Sequence, residues 1–232
     1  HMSLERDTKN YYSIIQGVCK VKTGNMTYVY GAVAVLSVLL LIAYTLWEKK
    51  KERNFQFLTG CVAAVNIGYF LLATAPTLRW ALVANGISYF GAAYSVLAML
   101  FIIGDVCQMK KRSWLRKLLT GISTAAFLLA ASGDFMGLYY KSVQIMQWDG
   151  MTHLVKEYGP LHILYTIYLL SYVVLMLVII GYAWKKQHLT SPKYTMLLMM
   201  AVLLNIGVWA VEQAVDIDFE FLSVSYIITE VT

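Results

Sequence analysis

Apolar blocks of about twenty residues recur along the chain, and the basic residues are confined to the connectors between them. A block such as "YVYGAVAVLSVLLLIAYTLW" makes about 30 Å of helix, the thickness of a bilayer's hydrocarbon core. No packed soluble domain of ordinary composition repeats this pattern. Hydrophobic residues make up 59% of the 232 and charged residues only 14%, whereas a soluble domain carries about a quarter charged. The sequence therefore predicts an all-α membrane protein.

Seven blocks are legible: Tyr28–Trp47, Phe55–Ala75, Trp80–Ile103, Trp114–Ser132, Pro160–Trp184, Tyr194–Val215 and Phe219–Thr232. The expected fold is a seven-transmembrane helix bundle. Residues 1–27 form a separate N-terminal segment, opened by a cloning scar at His1-Met2, and residues 28–232 form the membrane domain. The last block gives only about 21 Å of helix. It reads as a span cut short.

The connectors "WEKKKERN", "CQMKKRSWLRK" and "WKKQHLTSPK" hold four, five and three Lys/Arg. The opposite connectors hold only Arg79, Lys141 and Lys156, and the N-terminal segment holds four. By the positive-inside rule the three basic connectors face the cytoplasm and the N-terminus lies outside. Trp47, Trp80, Trp114 and Trp184 fall at span ends, where interfacial anchors belong. The net charge of +6 thus reports topology, and no nucleic-acid partner is expected. Cys19, Cys61 and Cys107 form no C-x-x-C pair, so neither a disulfide framework nor a zinc site is indicated. Cys61 reads as a buried, inert thiol.

The outer connector "LYYKSVQIMQWDGMTHLVKEY" places Asp149-Gly150 between two runs rich in β-branched and aromatic residues. That is a hairpin signal. A short extracellular β-hairpin between helices 4 and 5 is expected, with an irregular loop as the alternative. Gly159-Pro160 then reads as the start of the fifth helix, since proline is tolerated in a first turn.

Polar residues inside the blocks fall on helical stripes. Asn66, Tyr69 and Ala73 share a face, as do Asn85, Tyr89 and Ala92. Others are Tyr158, His162, Tyr165 and Tyr172; Asn205, Trp209, Glu212 and Asp216; and Ser223, Tyr226 and Glu230. Ionisable groups in a bilayer are costly and mark functional candidates. Asn85, Tyr89, His162, Tyr165, Trp209 and Glu212 lie in the outer half, at the depth of a ligand pocket open to the outside. Asn66, Asn205 and Glu230 lie on the same interior faces and are candidates for signal transmission. Plainer roles stand beside these: Asn66 and Asn205 as interhelical hydrogen-bond glue, His162 as a packing residue, and Tyr139, Tyr140 and Tyr158 as interfacial belt residues.

Several classes are disfavoured. The last block has no Schiff-base lysine. The third ends "GDVCQ", without the Asp/Glu-Arg-Tyr of rhodopsin-like receptors. No Walker loop, G-x-S-x-G or H-E-x-x-H is present. No catalytic residue, metal ligand or cofactor is expected, and the chain by itself does not read as an enzyme.

"ANGISYFGAAYSVLAML" with its Tyr-Phe-Gly step, the Gly-Pro-led "EYGPLHILYTIYLLSYVVL", "LLMMAVLLNIGVWAVE" and the outer "YYKSVQIMQWDGM…YG" connector together resemble the N-terminal seven-span sensor region of bacterial histidine kinases and diguanylate cyclases. The resemblance covers about Tyr28 to the C-terminus and assigns no functional residues. It implies a sensor in the bacterial cytoplasmic (inner) membrane. Such a sensor takes an extracellular small-molecule or peptide ligand and passes a conformational change to a cytoplasmic output domain outside this chain, which acts as a homodimer. The rival readings are a small transporter or channel, and a structural membrane partner without a ligand.

Overall fold

The central element is a helix of 29 residues that touches nearly everything else. The computed structural model describes residues 26–47, 52–110, 112–133, 137–148, 150–186 and 200. In chain order these form α1 (Met26–Trp47), α2 (Arg53–Ala73), α3 (Leu78–Val106), α4 (Ser113–Ala131), β1 (Tyr140–Trp148), β2 (Met151–Tyr158) and α5 (His162–Lys186). All five helices are long and apolar enough to cross a membrane. Each overlaps one of the first five expected spans and differs from it by a few residues. The sixth and seventh expected spans fall outside the described residues.

Helix α3 packs against α2, α4 and α5, while α1 packs on α2. Its first turn is capped by Thr77, whose Oγ1 accepts from the Trp80 amide at 3.4 Å. The α2–α3 seam is close. A Cβ on Gly68 would stand 2.7 Å from the Ser88 amide nitrogen and 2.9 Å from the Ala84 carbonyl oxygen. Small residues let backbones approach in a membrane, where no hydrophobic force drives helices together. Outward faces are apolar instead: Val35, Leu39, Leu128, Ile167 and Val174 are all more than half exposed. Such a coat suits lipid and would aggregate in water.

Side-chain hydrogen bonds join the helices. Asn66 Nδ2 donates to Ser37 Oγ across α1–α2. Tyr94 and Thr124 hydroxyls meet at 2.7 Å across α3–α4. At the end carrying the basic connectors, Asp105 accepts from Asn54 Nδ2 at 2.8 Å and from Arg116 at 3.2 Å, which ties α2, α3 and α4. The Arg116 guanidinium also lies 4.9 Å from the centre of the Phe101 ring. Cys61 and Cys107 are free and buried, and burial pushes the Cys107 thiol above its ordinary value. Cys19 lies outside the described residues.

The expected hairpin is present. Strands β1 and β2 pair antiparallel with Trp148 opposite Met151, and Gly150 lies in the turn between them. Gly150 has φ +75°, a conformation that costs a side chain and suits glycine. An isolated two-stranded hairpin is marginal, and this one is moored to the bundle. Thr152 Oγ1 donates to the Ala75 carbonyl at 2.7 Å. Met151 packs with Tyr30 and Ala73.

One expectation shifts. Helix α5 starts at His162, not at Pro160. The Gly159 and Leu161 amides still donate to the carbonyls of Tyr139 (2.7 Å) and Leu138 (3.1 Å). The chain is thus bound to the segment before β1 until Leu161, and helical bonding begins only after it.

Candidate functional site

Beneath the base of the hairpin, side chains from α3, β1, β2 and α5 converge. Asn85 lies two turns into α3 and is 5% exposed. Tyr89 follows one turn later on the same face. Tyr139 and Tyr140 at the start of β1 are 0% exposed. The register slips between Tyr140 and Ser142, so that the pairing skips Lys141, whose ammonium lies 3.8 Å from the Glu157 carboxylate. A bulge of this kind re-aims neighbouring side chains.

Polar groups here form a chain. Lys156 Nζ, reaching in from β2, donates to Asn85 Oδ1 at 2.8 Å. Asn85 Nδ2 donates to the Tyr140 hydroxyl at 3.3 Å. The Tyr140 hydroxyl donates to that of Tyr89 at 3.1 Å. The Lys156 ammonium also lies 5.8 and 5.9 Å from the ring centres of Tyr89 and Tyr140, within cation–π range.

Aromatic rings continue inward as a ladder. Tyr139 packs edge-on to Tyr140 (4.8 Å between centres) and to Tyr89 (5.9 Å). Tyr89 meets Tyr165 at 5.2 Å, Tyr165 meets Tyr168 at 5.9 Å, and Tyr168 meets Tyr172 at 4.6 Å. The last two rungs end in hydrogen bonds. Tyr168 donates to the Ala93 carbonyl (2.7 Å) and lies 3.0 Å from Ser123 Oγ. Tyr172 donates to the Leu119 carbonyl at 2.7 Å. The ladder therefore ties α5 to both α3 and α4. Burial holds the Tyr139 phenol above its ordinary value; the Tyr89 hydroxyl works against this, and Tyr140 and Tyr158 add to it.

Of the ligand candidates read from the sequence, Asn85, Tyr89 and Tyr165 come together here. His162 sits at the rim, half-buried, with its ring 3.8 Å from that of Tyr158 and 5.5 Å from that of Tyr139. Trp209 and Glu212 lie outside the described residues, as do Asn205 and Glu230. Asn66 is wholly buried between α1 and α2, and its Oδ1 has no hydrogen-bond partner among the described residues. Two of the three expected belt residues are corrected: Tyr139 and Tyr140 are interior, and only Tyr158 is exposed. Lys156, Tyr168 and Ser123 are site members that sequence reasoning missed. A lysine on an outer connector reads as topology, and nothing in its spacing signals an inward reach. Among the described residues, no three His, Cys, Asp or Glu side chains are grouped to hold a metal.

Five membrane-length helices among the described residues, with a hairpin capping a buried polar cluster, define a multi-pass membrane protein. Residues 30–231 match the family described as the N-terminal 7TM region of histidine kinase, and the chain belongs to that family. No curated protein and no solved structure matches the chain itself.

Proposed function

We propose that the chain is the receptor half of a bacterial signalling protein. An external small molecule or peptide binds at the mouth of the bundle beneath the hairpin, touching Asn85, Tyr89, His162 and Tyr165, with Trp209 and Glu212 from the sixth span completing the pocket. The observation that carries this reading is the buried chain Lys156–Asn85–Tyr140–Tyr89. Polar groups buried at membrane depth are expensive, and a bundle needing only stability would use apolar packing there. Binding signals only through differential affinity for two arrangements of the bundle. The tyrosine ladder supports this, because it links the mouth to the α3–α4–α5 contacts.

In this reading the hairpin end faces outward in the cytoplasmic membrane, the N-terminus is outside, and seven spans precede the output. That output is a histidine kinase or diguanylate cyclase acting as a homodimer. Asn66, Asn205 and Glu230 relay the change inward. The inner half of α5 buries Met176, Ile180 and Ala183, an apolar lining that favours a receptor over a channel.

Thermal-shift screening of the purified chain against metabolites and peptides tests this. A true ligand raises the unfolding temperature of the wild type and loses that effect in Glu212→Gln or His162→Ala. Stabilisers indifferent to both changes would place the site elsewhere.

A further inference from the structure

We infer that the ligand site is specific for an organic ammonium group, and that Lys156 occupies it as a tethered surrogate when no ligand is bound. This rests on the receptor reading above and names its ligand class.

Three observations converge on it. The Asn85 side chain, buried in α3, aims its carbonyl oxygen at the Lys156 ammonium from 2.8 Å. The orientation of that amide is fixed, because its Nδ2 donates to the Tyr140 hydroxyl, so the oxygen is the atom left for a cation. The rings of Tyr89 and Tyr140 lie 5.8 and 5.9 Å from the same nitrogen. An acceptor oxygen with two aromatic rings about one nitrogen is the chemistry that recognises ammonium groups. These parts come from α3 and β1, whereas the cation comes from β2. The receptor portion therefore remains when Lys156 swings away.

The hairpin's moorings allow that exchange. Thr152 and Met151 fix its tip to the α2–α3 end, and the Gly159 amide fixes its base to Tyr139. None of these bonds involves the Lys156 side chain. A lysine has a long flexible stem and a compact strongly hydrated head, so it can be displaced to water while the hairpin stays in place. An entering amine would take the oxygen and the rings, and would expel Lys156 towards the outside. No covalent step is involved. The switch is competition for one site between a tethered and a free cation.

Chemical rescue tests this on the full chain in nanodiscs. Lys156→Ala lacks the three outer methylenes and the ammonium of lysine, which n-propylammonium restores. Calorimetry should find n-propylammonium binding to Lys156→Ala at least tenfold more tightly than to the wild type, whose site is filled. Bound amine should return the unfolding temperature towards the wild-type value. The neutral isostere 1-propanol should do neither, and Asn85→Leu added to Lys156→Ala should abolish the response. If Lys156→Ala does not fold, Lys156→Met keeps the stem, and methylammonium becomes the probe with the same controls. Equal binding to wild type and variant, equal rescue by propanol, or indifference to Asn85→Leu would each overturn the ammonium assignment. The two proposals separate cleanly. Amine rescue without any external stabiliser of the wild type sinks the receptor reading alone. A stabilising metabolite with no amine rescue sinks this inference alone.

Discussion

Lys156 and Asn85 stand 71 positions apart in the chain, yet the ammonium of one lies 2.8 Å from the amide oxygen of the other. The bond crosses from an outer strand into the central helix. Asn85 is also donor to Tyr140, so it is the hinge of the whole polar chain.

Asn85→Leu removes both bonds and leaves a partly buried ammonium without its acceptor. Hydrogen bonds to charged groups contribute about 1.5–3 kcal/mol in soluble proteins, and interhelical bonds in membranes average about 0.6 kcal/mol. We expect a loss of about 1–2 kcal/mol, measured by thermal unfolding in detergent. Asn85→Asp keeps an acceptor and adds a charge beside the ammonium, so it should be more stable than Asn85→Leu by about 1 kcal/mol or more. Equal losses in the two variants would show that packing, not the cation, sets the stability.

Tyr168 and Tyr172 both converge on Ser123, at 3.0 and 3.3 Å. Each donates its proton to a backbone carbonyl on a neighbouring helix as well. Tyr168→Phe and Tyr172→Phe should each cost about 0.5–1.5 kcal/mol. Because they share Ser123, the double variant should depart from additivity by about 0.5 kcal/mol or more. A strictly additive cycle would mean that the serine couples nothing.

Gly159 sits against the backbone before β1. A Cβ there would stand 2.8 Å or closer to the Gly137 and Leu138 carbonyl oxygens, and backbone atoms cannot rotate away as a side chain can. Gly159→Ala should cost more than about 2 kcal/mol. At Gly150 nothing among the described residues lies within 4 Å of an added Cβ, and the left-handed conformation resists, at about 1–2 kcal/mol. Unfolding of the two variants by heat should therefore rank Gly159→Ala below Gly150→Ala. The reverse order would mean that the hairpin base relaxes freely.

The five described spans were legible because lipid imposes one rule on all of them: about twenty apolar residues with backbone bonds satisfied within the helix. The hairpin was legible from Asp149-Gly150, because a turn needing positive φ leaves its mark on residue type. Asn85 and Tyr89 were legible as a polar stripe on one apolar helix, and Tyr165 as part of a stripe on another. Tyr139, Tyr140 and Lys156 were not. Their inward direction comes from the slipped register beside Lys141 and from the docking of the hairpin on α3. Both are tertiary facts with no periodicity in the sequence. Tyr168 was hidden differently, since a tyrosine facing a serine on another helix looks like any interfacial aromatic.

Asp105 joins three helices, but its bonds differ in worth. The Arg116–Asp105 pair is 38% and 22% exposed on its two side chains, and such pairs contribute about 0–1 kcal/mol. Arg116→Ala should therefore be nearly neutral, with some loss from the Phe101 contact. Asp105→Ala should cost more, about 1–2 kcal/mol, because it strands Asn54 as well as Arg116. A double-mutant cycle between Arg116 and Asp105 in low and high salt is the measurement. Coupling that persists unchanged in high salt would contradict an exposed ion pair.

Tyr139 provides a test at alkaline pH. Its phenol is fully buried, and burial raises its pKa above the ordinary value, which for tyrosine is about 10. A phenol held neutral in the folded chain but free to ionise in the unfolded one favours folding below the unfolded pKa. That contribution is lost as pH rises towards the folded pKa, with a slope of up to about 1.4 kcal/mol per pH unit. Thermal unfolding followed from about pH 8 upward should show wild-type stability falling beyond about pH 10. Tyr139→Phe has no proton to lose at this site, so its curve should fall less steeply. Tyrosines remote from Tyr89, Tyr140 and Tyr158, the three that act on Tyr139, ionise alike in both proteins and cancel in the difference. At neutral pH the phenol is protonated in both the folded and the unfolded chain, so the gap between the two curves there does not vary with pH. A gap that does not change above about pH 10 would show that Tyr139 reaches solvent in the folded protein.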